Sequence, residues 1–231
     1  MSHEMGNLLL DALSPGARTA ILTKCKPIAL PMRTMLHEQG ETPQYAYFLT
    51  SGVASVVVSM VQGGSAEVGL IGCEGVVGAL ELLGPSATPA QCFIQMDGSA
   101  LRMKLDDLRE LFRECEEIRN RILQFVQLQA VTLEQIAACN KLHEAEERLA
   151  RWLSMARDRE GRDTMPMTQE FLALMLGTRR TTVTLVAGEL QRRGLIHYTR
   201  GKLTILSREK LEAAACDCYR ITKAALEGLY K

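Results

Sequence analysis

The 231-residue chain carries no net charge, 27 Lys/Arg standing against 27 Asp/Glu, and only 5% of it is aromatic. No stretch approaches the ~18 apolar residues that a bilayer span needs, and the opening MSHEMGNLLLDALSPGAR has neither the basic flank nor the long apolar core of a secretion signal. The expectation is a cytoplasmic protein without membrane contact. There is no Pro/Gly-rich tract, low-complexity segment or fixed-period repeat, which excludes extended disorder and a solenoid. A Gly-rich phosphate loop, an HExxH, a GxSxG and a convincing pair of close acids are all missing, so no enzyme chemistry is expected. Turns explain the GxEGxxG fragment from Gly72 to Gly78 equally well. The seven cysteines are odd in number and scattered through a chain too large to depend on disulfides, and are read as reduced thiols, mostly small core residues.

Zero net charge conceals an asymmetry. Residues 1–147 hold 11 Lys/Arg against 18 Asp/Glu, whereas residues 148–231 hold 16 against 9. A basic half joined to an acidic half points the second half at a polyanion.

From about Ile28 to Met103 the chain reads as short β-rich runs cut by turn residues: YAYFL, SG, VASVVVSMV, QGGS, EVGLI, QCFIQM, DGS and ALRM. This spacing predicts an antiparallel barrel or sandwich. After Lys104 the period changes, and the Gly- and Pro-free stretch to Arg159 predicts one short helix and then a long one. Ile118, Ile122, Phe125, Gln129, Thr132, Ile136 and Cys139 follow coiled-coil steps, so this helix is expected to pair with its copy in a homodimer. EGRDTMPM, residues 160–167, reads as a turn. Thr168 is placed to cap QEFLALML, which ends at Gly177, and Thr178 to cap a second helix ending at Gly194. LIHYTRGKLTIL then makes two strands about a turn at Thr199 to Gly201.

Two helices joined by a tight turn and followed by a hairpin make a winged helix-turn-helix. In the second helix Val183, Val186 and Leu190 form the inward stripe, which leaves Arg179, Arg180, Thr181 and Thr184 outside. Arginine can donate two bonds to guanine, and threonine offers a hydroxyl and a methyl, so this face suits the major groove of double-stranded DNA. Thr168 and Thr178 at the helix starts, Arg192 and Arg193, and Arg200 and Lys202 at the hairpin complete the candidate interface, Arg192, Arg193 and Lys202 as phosphate holders. The competing reading is a ligand-binding or protein-interaction module whose winged helix contacts a protein.

The order of a turn-rich β domain, a long helix and MTQEFLALMLGTRRTTVTLVAGELQRRGLI with a Gly-bearing wing resembles the Crp/Fnr family of bacterial transcription regulators. The likeness runs from roughly Ile28 to Leu211 and is most specific between Thr168 and Ile205. It implies an α+β fold: an N-terminal antiparallel β-roll, jelly-roll-like, with flanking short helices over residues 1–113, a dimerisation helix over 114–143 and a winged helix-turn-helix over 144–231. It also implies a homodimer on a two-fold-related operator, with RNA polymerase and a small-molecule effector as further partners. The cassette-like stretch EGVVGALELLGPSATPAQCF maps an effector pocket onto Gly75, Gly78, Ala79, Glu81, Thr88 and Ala90.

That stretch departs from the family's cyclic-nucleotide pattern. Ala79 stands where the resemblance calls for the ribose-binding glutamate, and Thr88-Pro89-Ala90 where it calls for an arginine triplet. A buried cyclic phosphate without an arginine is an unpaired charge, so cyclic AMP is not expected to bind unless Arg102 or Arg109 substitutes. Clustered N-terminal cysteines for an iron-sulfur centre are absent, Cys25 alone preceding Cys73. By position both could serve as oxidant-sensing thiols, although nothing basic flanks Cys73. His37 and His143 are read as surface or capping residues rather than haem ligands. Cys216-x-Cys218, with no His or third Cys near it in sequence, is read as core packing. No cofactor and no metal are therefore expected. In the recognition helix Thr181 replaces the acidic reader of the resemblance and Leu185 an arginine, so the operator should differ from the family's familiar palindrome.

Overall fold

A computed structural model describes residues 6–84 and 87–231. The first five residues, part of the opening read above, and Pro85 and Ser86, inside the cassette-like stretch, lie outside the described residues. Two short helices come first, α1 (Leu8–Asp11), capped by the Asn7 side chain, and α2 (Pro15–Leu22), with Ser14 as cap and a proline at its start. Six strands follow: β1 (Lys26–Leu30), β2 (Met35–His37), β3 (Tyr45–Ser59), β4 (Ser65–Ile71), β5 (Val76–Val77) and β6 (Gln91–Lys104). They form one antiparallel sheet in the order β1-β6-β3-β4, with β2 against β6 and β5 against β3. The sheet closes as a β-roll around Phe48, Leu49, Ile94 and Met103.

The evenly spaced short strands predicted from turn residues are corrected. SG and DGS are not turns; they lie inside two strands of 15 and 14 residues. Gly52, at φ +79, and Gly98 mark irregularities in the β3–β6 pairing at the same height, where Ser99 Oγ bonds Thr50 and Ser51. A side chain at Gly98 would meet the Ser51 carbonyl at 2.1 Å. Bulges of this kind bend a strand without ending it, so each long strand curls over the core. QGGS is a true turn, its Gly63 and Gly64 at φ +92 and +90.

The helical stretch that follows divides into three: α3 (Leu105–Glu114), α4 (Glu116–Leu142) and α5 (Ala145–Glu160). The break at His143 and Glu144 is made by a reciprocal cap between Glu144 and Glu147, one residue after the end of the 27-residue α4. The seam predicted on α4 is also corrected. Ile118, Ile122 and Phe125 are buried in the core of their own β-roll. The apolar residues left exposed on α4 include Leu123, Ala130, Leu133 and Ala137, with the half-buried Val126 between them packed against the roll core.

EGRDTMPM is only partly a turn: Gly161 ends α5 in the left-handed conformation, and β7 (Thr164–Pro166) follows. Then come α6 (Gln169–Leu176), α7 (Arg180–Arg192), β8 (Ile196–Thr199) and β9 (Lys202–Ile205), with β7 pairing β9 to make a three-stranded wing. Finally α8 (Arg208–Ala214) and α9 (Asp217–Leu229) close the chain, α9 returning along α4 so that Leu226, Leu229 and Tyr230 pack on the β-roll core. Cys216 and Cys218 do not pack alone, as their sequence neighbourhood suggested: Cys139 joins them in a small cluster separate from both aliphatic cores. No described helix is long and apolar enough to cross a membrane.

Candidate functional site

Thr168 caps α6, its hydroxyl accepting from Phe171 N–H at 3.1 Å. Thr178 does not cap α7; Arg179 occupies that position without a side-chain bond. Instead Thr178 N–H donates to Ala173 carbonyl at 3.0 Å around Gly177, which is at φ +57, and so ends α6. Only a residue tolerant of the left-handed region closes a helix this way, and the resulting turn fixes the angle at which α7 leaves.

On α7 the inward stripe is Val183, Ala187 and Leu190, with Val186 only half-buried, so the buried face is rotated slightly from the predicted one. Arg179, Arg180, Thr181, Thr184 and Leu185 are exposed, Leu185 at 74%. No acid lies in the first turn of α7, and Arg180 begins it. Helix N-termini carry positive potential and ordinarily attract acids, so two arginines there are an unfavourable placement that an anion would relieve. Arg180 meets Glu170 at 2.7 Å, but both side chains are more than 60% exposed, a pair that contributes little and opens easily. Thr184 Oγ1 donates to Gln169 Oε1 at 3.0 Å, tying the outer face of α7 to the start of α6.

The wing meets the same place. Arg200 and Gly201 both have positive φ, +47 and +75, which gives the hairpin a two-residue turn of the twist that suits antiparallel strands. Gly201 carbonyl accepts from Met167 N–H at 2.7 Å and Tyr198 Oη donates to Met167 carbonyl at 3.1 Å. Thr168, the first turns of α7 and the exposed Arg200 and Lys202 are thus gathered around the start of α6. Arg192 and Arg193 are not: they lie at the other end of the 13-residue α7, about 20 Å away, bonded to Glu189 and to Glu146 of α5.

A cavity of about 370 Å³ opens between the β-roll and α4. Of the residues mapped from the sequence, Gly78, Ala79, Glu81, Thr88 and Ala90 line it. Gly75 does not; a side chain there would lie 2.0 Å from the Phe125 ring, so this glycine admits α4 to the roll. Sequence reasoning missed the other walls, His37, Val56 and Leu70 from the sheet, Phe125, Leu128, Gln129, Thr132 and Leu133 from α4, and Arg159 from α5. No local motif marks them, because three strands and two helices bring them together.

Arg159 is the cation that reaches the cavity, and it is engaged: its Nε donates to Glu74 at 2.7 Å, with both side chains at 10% exposure or less. Neither Arg102 nor Arg109 lines the cavity. Arg102 stacks on the Tyr45 ring at 4.4 Å, and Arg109 is bonded to Asp106 and the Glu81 carbonyl. His37 Nδ1 and Gln129 Oε1 are buried without partners in the cavity wall. Burial lowers the His37 pKa, which keeps the ring neutral. The oxidant-sensing thiols are disfavoured as well, since burial pushes both Cys25 and Cys73 up to about 11 and leaves little thiolate.

Between the roll and the winged helix, Glu67 of β4 accepts from Trp152 Nε1 of α5 at 2.6 Å and from Ser55 Oγ at 2.7 Å. Burial raises the Glu67 pKa to about 7, against the lowering effect of those two bonds and of Arg151 and Arg159.

Residues 27–115 match the family model of the cyclic nucleotide-binding domain, and residues 147–214 match that of the Crp-like helix-turn-helix domain. No curated protein matches the chain in sequence. Among solved structures it is similar to the c-di-GMP responsive global regulator CLP of Xanthomonas campestris, at 17% identity and TM-score 0.70 over 84% of this chain and 100% of that one. It is also similar to FixK2 of Bradyrhizobium japonicum, at 15% identity and TM-score 0.70 over 83% and 98%. A Crp/Fnr-family protein from Eubacterium rectale gives 16% and 0.69 over 89% and 96%. At such identities these structures speak for the fold.

Proposed function

The chain belongs to the Crp/Fnr family of transcription regulators, whose members are not enzymes, and from that premise we propose that it is a homodimeric regulator reading a two-fold-related DNA site without cyclic AMP. The observation that carries the reading is the start of α7. Arg179, Arg180, Thr181, Thr184 and Leu185 face outward from a helix whose first turn carries no acid, beside the exposed cations of the wing. In the major groove Arg180 pairs with a guanine edge after leaving Glu170, the threonines reach base edges and methyls, and Arg200 and Lys202 take phosphates.

Dimerisation uses the exposed stripe of α4, Leu123, Ala130, Leu133 and Ala137, and sets two α7 helices about one helical turn of DNA apart. Leu133 belongs to this stripe and to the cavity wall, so an occupant of the cavity bears directly on the dimer seam. The effector such a cavity favours is neutral and largely apolar, with one donor or acceptor for His37 or Gln129. A cyclic phosphate would have to part Arg159 from Glu74 and strand a buried carboxylate. RNA polymerase is the further partner that a regulator of this kind meets at a promoter.

Selection from random duplex DNA by the purified protein tests the reading. The expected winner is a two-fold-related sequence whose preference changes with Arg180→Ala. Absence of enrichment, with and without added metabolite pools, would overturn it.

A further inference from the structure

The Cys139, Cys216 and Cys218 thiols and the His143 ring come together where α4 ends and α9 begins. One ligand atom from each lies within 4.8 Å of all the others. Cys139 and Cys216 Sγ are 3.4 Å apart, and Cys218 Sγ is 3.7 Å from His143 Nδ1. A tetrahedral metal with sulfur at about 2.3 Å spaces its sulfur ligands by about 3.8 Å, so these distances are edges of such a tetrahedron. We propose that this Cys3His cluster is a structural site for a thiophilic divalent cation, zinc in the first instance, that staples the C-terminal helix to the end of α4.

The local structure is built for this. Cys139 and His143 are four apart on α4, hence one above the other on a single face, His143 being the residue at which the helix stops. Cys216 caps α9 and Cys218 lies in its first turn, where backbone N–H groups and the helix dipole favour thiolates. Three of the four are at most 4% exposed, and the cysteines form a buried cluster separate from the two larger cores. Three thiolates favour zinc over the harder cations, and a fourth ligand from imidazole closes the coordination without an open catalytic position.

An independent observation is the charge nearby. Arg151 is 4% exposed, its Nε has no partner, and no carboxylate lies within 4 Å of it among the described residues. Arg148 Nε is likewise buried without a partner. Arg151 favours the charged form of all three thiols, whereas burial opposes it, and the bond to Cys139 together with burial keeps the Cys216 pKa raised. Glu67, also in the field of Arg151, spends its two oxygens on Ser55 and Trp152. A buried cation requires an anion, and a dication held by three thiolates and a neutral imidazole has a net charge of −1. That single negative charge is the counter-charge the buried Arg151 lacks.

Residues 215–231, which carry two of the four ligands, lie beyond the matched helix-turn-helix domain. They run from the winged helix back to the β-roll, where Arg121 Nη1 donates to the Leu229 carbonyl at 3.0 Å. The metal would fasten the root of this strap beside the break between α4 and α5. The proposal is independent of the DNA reading, because metal content is measured without DNA.

The test is elemental analysis of the full-length protein purified under reducing conditions without chelator, followed by replacement of zinc with cobalt(II). The expected result is one zinc per chain and a cobalt spectrum of a tetrahedral thiolate site. Loss of a mere outer-shell partner already costs about 10–100-fold in metal affinity, so Cys216→Ser and Cys218→Ser should each cost roughly 100-fold or more. His143→Cys keeps the site and raises the thiolate-to-cobalt intensity by about a third, three thiolates becoming four; this variant stays informative if the serine variants fail to fold. Cys25→Ser leaves the metal in place. A chain that takes up neither zinc nor cobalt, one holding a Cys139–Cys216 disulfide instead, or one whose metal is lost with Cys25 and retained by Cys216→Ser would overturn the proposal.

Discussion

Two regions of this protein place arginine near a candidate anion site, and they do so in opposite ways. At the start of α7, Arg179 and Arg180 are exposed, and Arg180 is matched only by the equally exposed Glu170. In the cavity, Arg159 is buried and bonded to the buried Glu74. The first arrangement leaves charge free for an incoming polyanion, whereas the second has already spent it. On the proposed reading, availability of charge, rather than its amount, separates the surface that takes phosphate from the pocket that does not.

The largest effect that can break this comparison is on stability. Arg159→Ala leaves Glu74 buried and unpaired and should cost about 3–5 kcal/mol in chemical denaturation. Removal of Glu170 should cost less than about 1 kcal/mol by the same measurement. Equal losses would mean that the two pairs are not different in kind.

The next effect is on DNA. Arg180→Ala is expected to weaken binding to the selected duplex by about 1–3 kcal/mol, roughly 5–150-fold, with an unchanged unfolding midpoint. Fluorescence anisotropy with labelled duplex reads the loss, and an unaltered affinity would remove Arg180 from the interface.

A third prediction concerns the layer between the two regions. Glu67 holds its proton in the folded chain up to about pH 7, against 4.5 for the ordinary carboxyl. Between those values the folded state binds more protons than the unfolded one, so stability from this group is complete below pH 4.5 and is lost as pH rises through about 7. Trp152, the sole tryptophan, bonds this carboxyl, so its fluorescence should titrate near pH 7 and cease to do so in Glu67→Gln. A titration that persists in the variant assigns the change to another group.

The smallest expected effect is a null. Cyclic AMP should leave the melting temperature and DNA affinity unchanged, and a clear stabilisation would mean that Arg159 exchanges Glu74 for phosphate.

How much of this was legible in the sequence follows from range. Helix stops and starts written in neighbouring residues, such as Thr168, Gly177 and the Arg200-Gly201 turn, were readable because the capping and turn chemistry is local. SG and DGS misled, since Gly52 and Gly98 become bulges only when β3 and β6 lie side by side. The seam on α4 was misplaced because periodicity reveals an apolar stripe without revealing what covers it; the β-roll takes the stripe of Ile118 and Ile122. Arg159 in the cavity and Cys139 beside Cys216, 77 positions apart, could not be joined by any local pattern.

The most direct measurement of the central claim is the affinity of the purified protein for its selected duplex as a function of salt concentration. If the start of α7 and the wing hold phosphates, log affinity should fall steeply and linearly with log salt, with a slope of about −0.9 per phosphate neutralised, and Lys202→Ala should reduce that slope by about one. An affinity indifferent to salt would contradict the account.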